Sequence, residues 1–417
     1  MKILGVFFRF AFVIAFCLMF TGLWQVADSG VRVRGSFGLQ AYGYEDRDEE
    51  NHLWLLQSTR FSVTDKTRPL SFHFSGGYIG DNADEFSSSG RGRFHKGYLQ
   101  YGGMSDPLKI RIGRFFMYKG VALGVLDGLE FQRKMSKNYK LSIFAGMMGP
   151  LSRRFEFEKP DEALSFGGEL RWTPGNLWHF KKTNVSLSYT NQQRNELETR
   201  HRIGLNAFGS LNHKTNVYAV VQLRTSESPI RRIVSRVRYA DNSWSGMLEG
   251  AFVSIDMADY SWLNGFEHSS YTRLRFALDR NIKSRLWAVG IDGSFLFSNE
   301  PGIRLGPFVT IPYGQLGYRF SIGDRGKSDG LWASLHYSPY EGIEAYASGS
   351  LMTYEWEAYD IESEDLTMFQ TGLRYTPPFK ENVTVSGEYQ VYQSPEFTSD
   401  RRFMGGLKWK FDHGRSK

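Results

Sequence analysis

The chain is predicted to be all-β: a single antiparallel transmembrane β-barrel of about 20 strands, with a range of about 18–22. Three observations predict it. Apolar and polar residues alternate with a period of two from Val31 to Phe411, as they do when successive side chains point to opposite faces of a strand. Short turns rich in Asn, Asp, Ser and Gly alternate with longer connections. Aromatic residues make up 16% of the 417 positions, enough to furnish girdles at two membrane interfaces.

Bulk hydropathy does not reveal such a barrel. The mean hydropathy is −0.39, the value of a water-soluble chain, because half of each spanning strand faces water. A helical membrane protein is excluded, since only the N-terminal segment approaches the length of an apolar span. That segment has Lys2 and Arg9 followed by the apolar run Phe10 to Trp24, which reads as a secretory signal. Residues 1–27 are assigned to it and 28–417 to the barrel. Gln25 is a poor match to the small residue expected near the cleavage point, so an uncleaved anchor is the alternative. Cys17 is the single cysteine, and its loss with the signal would leave no disulfide, thiolate ligand or cysteine nucleophile. Removing Lys2 and Arg9 takes the formal charge from +7 to +5. The excess is spread out, with no basic run of the kind that binds nucleic acid.

The elements follow in order. Val31 to Ala41 places Val33, Phe37 and Leu39 on one face and Arg32, Arg34 and Gln40 on the other, and the charged connection Glu45 to Asn51 follows. Leu53 to Thr64 returns to a turn at Asp65 to Pro69, and Leu70 to Tyr78 leads to the polar connection Gly80 to Gly92. Arg93 to Gly102 and Leu108 to Phe115 are joined across Met104 to Pro107. Further turns are predicted at Ser136 to Asn138, Leu211 to Lys214, Ala240 to Ser243 and Asn281 to Ser284. Longer connections are predicted at Pro150 to Glu162, Asn191 to Glu198, Asp256 to Ser269, Asn299 to Pro312, Ala358 to Asp365 and Ser394 to Asp400. Asn299 to Gly323 has two readings, one loop plus one strand, or two strands hinged at Ile311 to Gly314. With both termini on the short-turn side, the strand number is even. No helical period long enough for a plug or a second domain appears.

The apolar phase fixes the lipid side, because charge there costs a few kcal/mol at mid-membrane. The opposite phase then puts Arg32, Arg34, Lys109, Arg111, Arg232, Arg236, Arg238, Arg273, Arg275 and Glu388 on the lumen wall. A cationic stripe would attract anionic solutes. The competing reading pairs these arginines with Glu130, Glu169, Glu249, Asp292 and Glu388 on neighbouring strands. The acidic clusters at 45–50 and 360–365 read as solvated loop charge, with divalent bridging to lipopolysaccharide as the alternative. Gly120 to Leu126 and Asp256 to Ser269 are the connections suspected of folding into the lumen.

No metal-ligand spacing, GxSxG elbow or phosphate loop appears, so neither a metal nor a cofactor is implied and the chain is read as a non-enzyme. A triad assembled from separate strands would be sought at His201 or His268.

The last strand resembles the terminal targeting strand of Gram-negative outer-membrane β-barrels. Met404, Gly406, Trp409 and Phe411 stand at its polar, glycine, large apolar and final aromatic positions. Met404 departs from the polar preference, and Asp412 to Lys417 extend beyond the usual end. Ile110 to Arg114 with Asp127 to Leu129 is similar, over a short stretch, to the Gly-Arg and Asp-Gly strands of porin-like and polysaccharide-export barrels. The resemblance implies a location in the bacterial outer membrane, with lipid and lipopolysaccharide around the barrel and insertion by the barrel-assembly machinery. It also implies passive passage of small hydrophilic solutes, with an anion preference and homo-oligomerisation as open expectations. The alternatives are a sheath around a multihaem cytochrome and a barrel hydrolase.

Overall fold

The computed structural model describes residues 30–45, 51–65, 67–81, 91–103, 106–150, 156–194, 198–225, 230–254, 270–282, 287–324, 326–356, 361–394 and 397–414. The expected signal at 1–27 and the suspected connection Asp256 to Ser269 lie outside the described residues.

Twenty-two strands form among the described residues. The first eleven are β1 (Val31–Glu45), β2 (Asn51–Asp65), β3 (Leu70–Asp81), β4 (Arg91–Tyr101), β5 (Leu108–Lys119), β6 (Ala122–Lys134), β7 (Tyr139–Met148), β8 (Leu164–Leu177), β9 (Phe180–Arg194), β10 (Glu198–Ser210) and β11 (Thr215–Arg224). The rest are β12 (Ile230–Ala240), β13 (Trp244–Val253), β14 (Tyr271–Asn281), β15 (Ala288–Phe297), β16 (Gly302–Ile311), β17 (Gly314–Gly323), β18 (Gly326–Tyr340), β19 (Ile343–Trp356), β20 (Ile361–Tyr375), β21 (Val383–Ser394) and β22 (Phe397–His413). One short helix, α1 (Pro160–Ala163), precedes β8.

Each strand pairs antiparallel with the next, and β22 returns to pair with β1 from Val33–His413 to Tyr44–Arg402. A closed sheet leaves no edge, which a lipid environment demands because it offers no hydrogen bonds to unpaired backbone groups. The count is even and lies at the top of the expected range. Asn299 to Gly323 resolves as two strands, β16 and β17, joined by a tight turn at Pro312 and Tyr313. The long connection expected at Asn299 to Pro312 is therefore mostly strand. Proline lacks the amide that a ladder needs, and Pro312 falls in the turn, where the loss is harmless.

At the end where long connections are expected, others are also shorter than predicted. β9 runs to Arg194 before β10 starts at Glu198, β20 starts at Ile361, and β22 starts at Phe397. At the opposite end, turns such as 135–138, 211–214 and 241–243 are tight. Asp241 caps the last of these, its Oδ1 accepting the N–H groups of Ser243 and Trp244 at 2.8 Å each.

The outer face is apolar and uncovered. Leu55, Ile112, Leu187, Leu316, Leu351 and Leu373 are all more than half exposed, a surface that water would penalise over its whole extent. At the short-turn end the outer face is aromatic. Tyr139 stacks on Trp172 at 6.2 Å, and Tyr313 meets Tyr337 edge-on at 5.4 Å. Trp244, Trp287 and Tyr375 continue this belt, as expected of rings seated at a membrane interface.

Candidate functional site: the barrel lumen

Directly paired residues of antiparallel strands point to the same side, so the register extends the lumenal face from strand to strand. The register sets the ten residues predicted for the lumen wall opposite the following partners. Arg32 and Arg34 oppose Thr64 and Ser62, Lys109 and Arg111 oppose Gln132 and Glu130, and Arg232, Arg236 and Arg238 oppose Gln222, Tyr218 and Asn216. Arg273 and Arg275 oppose Ala251 and Glu249, and Glu388 opposes Gly372.

The structure does not bring these ten into one stripe. Many are neutralised locally. Glu249, 3% exposed, accepts both Nε and Nη2 of Arg236 and lies 3.5 Å from Arg273. Glu130, 1% exposed, lies 3.1 Å from both Arg111 and Lys119 and accepts from Gln132 and Ser142. Glu169 pairs with Arg171. Arg32 donates to both carboxylate oxygens of Asp412, at 2.8 and 2.6 Å. Glu249, Glu130 and Glu169 are buried against the wall and held by their cations, as a buried charge requires. Of the five expected acidic partners, Glu130, Glu169 and Glu249 serve. Glu388 instead accepts the hydroxyl of Tyr346 and the amide of Gln390.

A second feature fills part of the lumen. Gly120 and Val121 are the turn between β5 and β6, and the Val121 N–H donates to Ser188 Oγ at 3.2 Å. Ser188 is on the inward face of β9, between the outward Leu187 and Tyr189. On β10, the inward Gly204 lies so close to Val121 that a Cβ there would stand 2.4 Å from Val121 Cγ1. Strands β6 and β9 are not neighbours in the sheet, so this contact crosses the interior. The β5–β6 hairpin is bent into the barrel. The suspected connection Gly120 to Leu126 is thus a two-residue turn at the tip of an inward hairpin.

The packing explains the bend. Phe115, Met117, Ala122 and Leu126 are buried together with Phe144. Phe116, Tyr118 and Leu123, on the hairpin's other face, are more than half exposed. The bend starts where Gly113, at φ +120°, opposes Gly128, a backbone conformation that other residues rarely adopt. Beside it, Arg114 donates to both oxygens of Asp127, at 2.6 and 2.7 Å. It also donates to the carbonyls of Phe94 and Glu156 and lies over the rings of Phe94 and Phe157. The stretch that resembles Gly-Arg and Asp-Gly strands therefore forms the clamp at the root of this hairpin. Sequence reading noted these residues but assigned them no role.

Of the two histidines considered for hydrolysis, His201 is not in the lumen. His201 lies on the outward phase of β10, its Nδ1 3.0 Å from the hydroxyl of Tyr189. His268 lies outside the described residues.

No protein-family model matches the chain, and no curated protein is similar to it. Among solved structures, it is similar to the translocation pore of the P pilus usher PapC, at 9% identity over 91% of this chain and 99% of that one, with a TM-score of 0.51. OccAB3 of Acinetobacter baumannii matches at 9% identity over 92% and 100% of the two chains, with a TM-score of 0.44. The outer membrane protein OpdK of Pseudomonas aeruginosa matches at 7% identity over 92% and 98%, with a TM-score of 0.44. The PapC likeness is one of fold, that of a large closed barrel.

Proposed function

We propose that the chain is an outer-membrane channel through which small hydrophilic solutes diffuse, with a lumen that favours anions. One observation carries the reading. Twenty-two register-paired strands close between β1 and β22, and outside the inward β5–β6 hairpin they keep one two-face phase, apolar and uncovered outside, charged and polar inside. Closed barrels wider than about eight strands enclose an aqueous or plugged lumen. The inward hairpin narrows that lumen. It also counts against the two rival readings. A sheath for a multihaem cytochrome needs an unobstructed bore, and a hydrolase built on His201 would have that ring on the lipid side. The partners implied are lipid and lipopolysaccharide outside, the barrel-assembly machinery during insertion, and the solute within.

Planar-bilayer recording with the purified chain tests the proposal. Discrete conductance steps with a reversal potential shifted toward the anion in a salt gradient are expected. Absence of steps would overturn the channel, and a cation-directed shift would overturn the preference.

A further inference from the structure

Several lumenal cations have a carboxylate beside them; a group on β22 to β4 does not. Across five neighbouring strands the register aligns Lys410 of β22, Ser36 of β1, Arg60 of β2, Ser75 of β3 and Lys96 of β4 in a single row. All five lie on the inward phase. Cation and serine alternate, so successive cations stand two strand spacings apart, about 10 Å. Lys410, Arg60 and Lys96, with Arg34 and Lys408, line one cavity of about 600 Å³ on the lumen wall, close to the short-turn mouth.

Two carboxylates also line this cavity, Glu381 and Asp412. Asp412 is engaged by Arg32 through two hydrogen bonds. No ion pair among the described residues joins Arg34, Arg60, Lys96, Lys408 or Lys410 to a carboxylate. In the adjoining row Lys408 and Arg93 flank Gly38, Ser58 and Gly77, and these three small residues leave Arg60 uncrowded from that side. Like charges held on one wall repel one another, and a fold selected for stability alone would intersperse acids here as it does at Glu249 and Glu130. A strip of spaced donors facing water is suited to an anion with more than one charged point, which can engage several cations through charge-assisted hydrogen bonds.

We propose that the row Lys410–Ser36–Arg60–Ser75–Lys96, with Arg34 and Lys408 flanking it, is a binding site for solutes that carry two or more oxyanion groups. The proposal deepens the channel reading above and rests on the lumen being open to water. Serine hydroxyls between the cations add donors, and the spacing selects extended polyanions over a single small ion.

Calorimetric titration of the detergent-solubilised full chain with tripolyphosphate and with inorganic phosphate tests this without requiring conductance. Tripolyphosphate is expected to bind more tightly than phosphate by about tenfold or more, each additional charged hydrogen bond being worth roughly 1.5–3 kcal/mol. The double substitution Arg60→Ala with Lys410→Ala is expected to lose about tenfold or more of that affinity on the same grounds. Arg374→Ala, whose guanidinium lies 2.9 Å from Glu344, is expected to leave it unchanged. Absence of tripolyphosphate binding, equal affinity for the two probes, or equal loss in Arg374→Ala would each overturn the site. Heat-modifiable migration on gels checks that each variant is folded, and Lys408→Gln with Lys410→Gln serves should the alanine pair fail to fold. A chain that conducts yet binds no polyanion refutes this site alone. One that binds polyanion but never conducts refutes the channel alone.

Discussion

Val121 donates its backbone N–H to Ser188 Oγ at 3.2 Å from a strand three places away around the wall. This hydrogen bond ties the tip of the β5–β6 hairpin to the inner wall at β9.

The first prediction concerns that tip. Gly120 has φ +56°, and a Cβ there would stand 2.0 Å from Ser188 Oγ. Gly120→Val is therefore expected to lift the hairpin from the β9 wall. Single-channel recording should show altered conductance with more frequent transitions between levels. Ser188→Ala removes one hydrogen bond, worth about 1 kcal/mol, and should act in the same direction but weakly. Unchanged conductance in Gly120→Val would mean that the hairpin does not limit flow.

A second prediction follows from the clamp at the hairpin's root. Arg114 and Asp127 are 1% and 4% exposed, so removing either takes from the other, buried, group the opposite charge bonded to it. Arg114→Met or Asp127→Leu alone should cost roughly 3–5 kcal/mol, while the double substitution should cost less than the sum of the two. Urea unfolding of the chain in lipid vesicles measures all three. Additive losses would show that the two groups do not stabilise each other.

The reach of sequence reading follows from these same residues. Strand phase was legible because its period of two is local. Which acid meets which arginine was not, because Arg236 and Glu249 face each other only through the register of two strands. The hairpin left a trace that is easy to misread. After Gly113 the inward phase becomes apolar at Phe115 and Met117, while Arg114 and Asp127 occupy the outward phase. That reversal looks like a strand ending. It records a hairpin whose former lumenal face packs on the inner wall. The strand count was blurred at Pro312, where a turn and a hinge share the same residue chemistry.

The third prediction addresses selectivity. Glu249 holds Arg236 and Arg273. Glu249→Gln keeps the shape and removes the charge, leaving both guanidinium groups facing the lumen without their acid. The reversal potential in a potassium chloride gradient should move further toward the chloride potential than in the parent chain. A shift toward potassium would reverse the assignment of these groups to the ion path.

The last prediction concerns the seam on which closure depends. Phe411 of β22 lies directly opposite Gly35 of β1 on the outer face, and Trp409 packs on Phe411 at 5.3 Å between ring centres. A Cβ on Gly35 would stand 2.4 Å from Phe411 Cζ, 2.4 Å from the Arg60 carbonyl oxygen and 2.8 Å from Phe61 Cβ. The Phe411 ring presses from β22 and the Arg60 backbone oxygen, which cannot rotate away as a side chain can, from β2, so Gly35→Leu should part β1 from both neighbours, the β22 seam included, rather than repack it. An open seam exposes two rows of unpaired backbone groups to lipid, each costing several kcal/mol. The variant should therefore lose the compact, heat-modifiable form on gels. Gly405→Ala on the same strand, where a Cβ meets nothing within 4 Å, should retain it. If Gly35→Leu folds and migrates as the parent does, β1 and β22 do not close the barrel at this register.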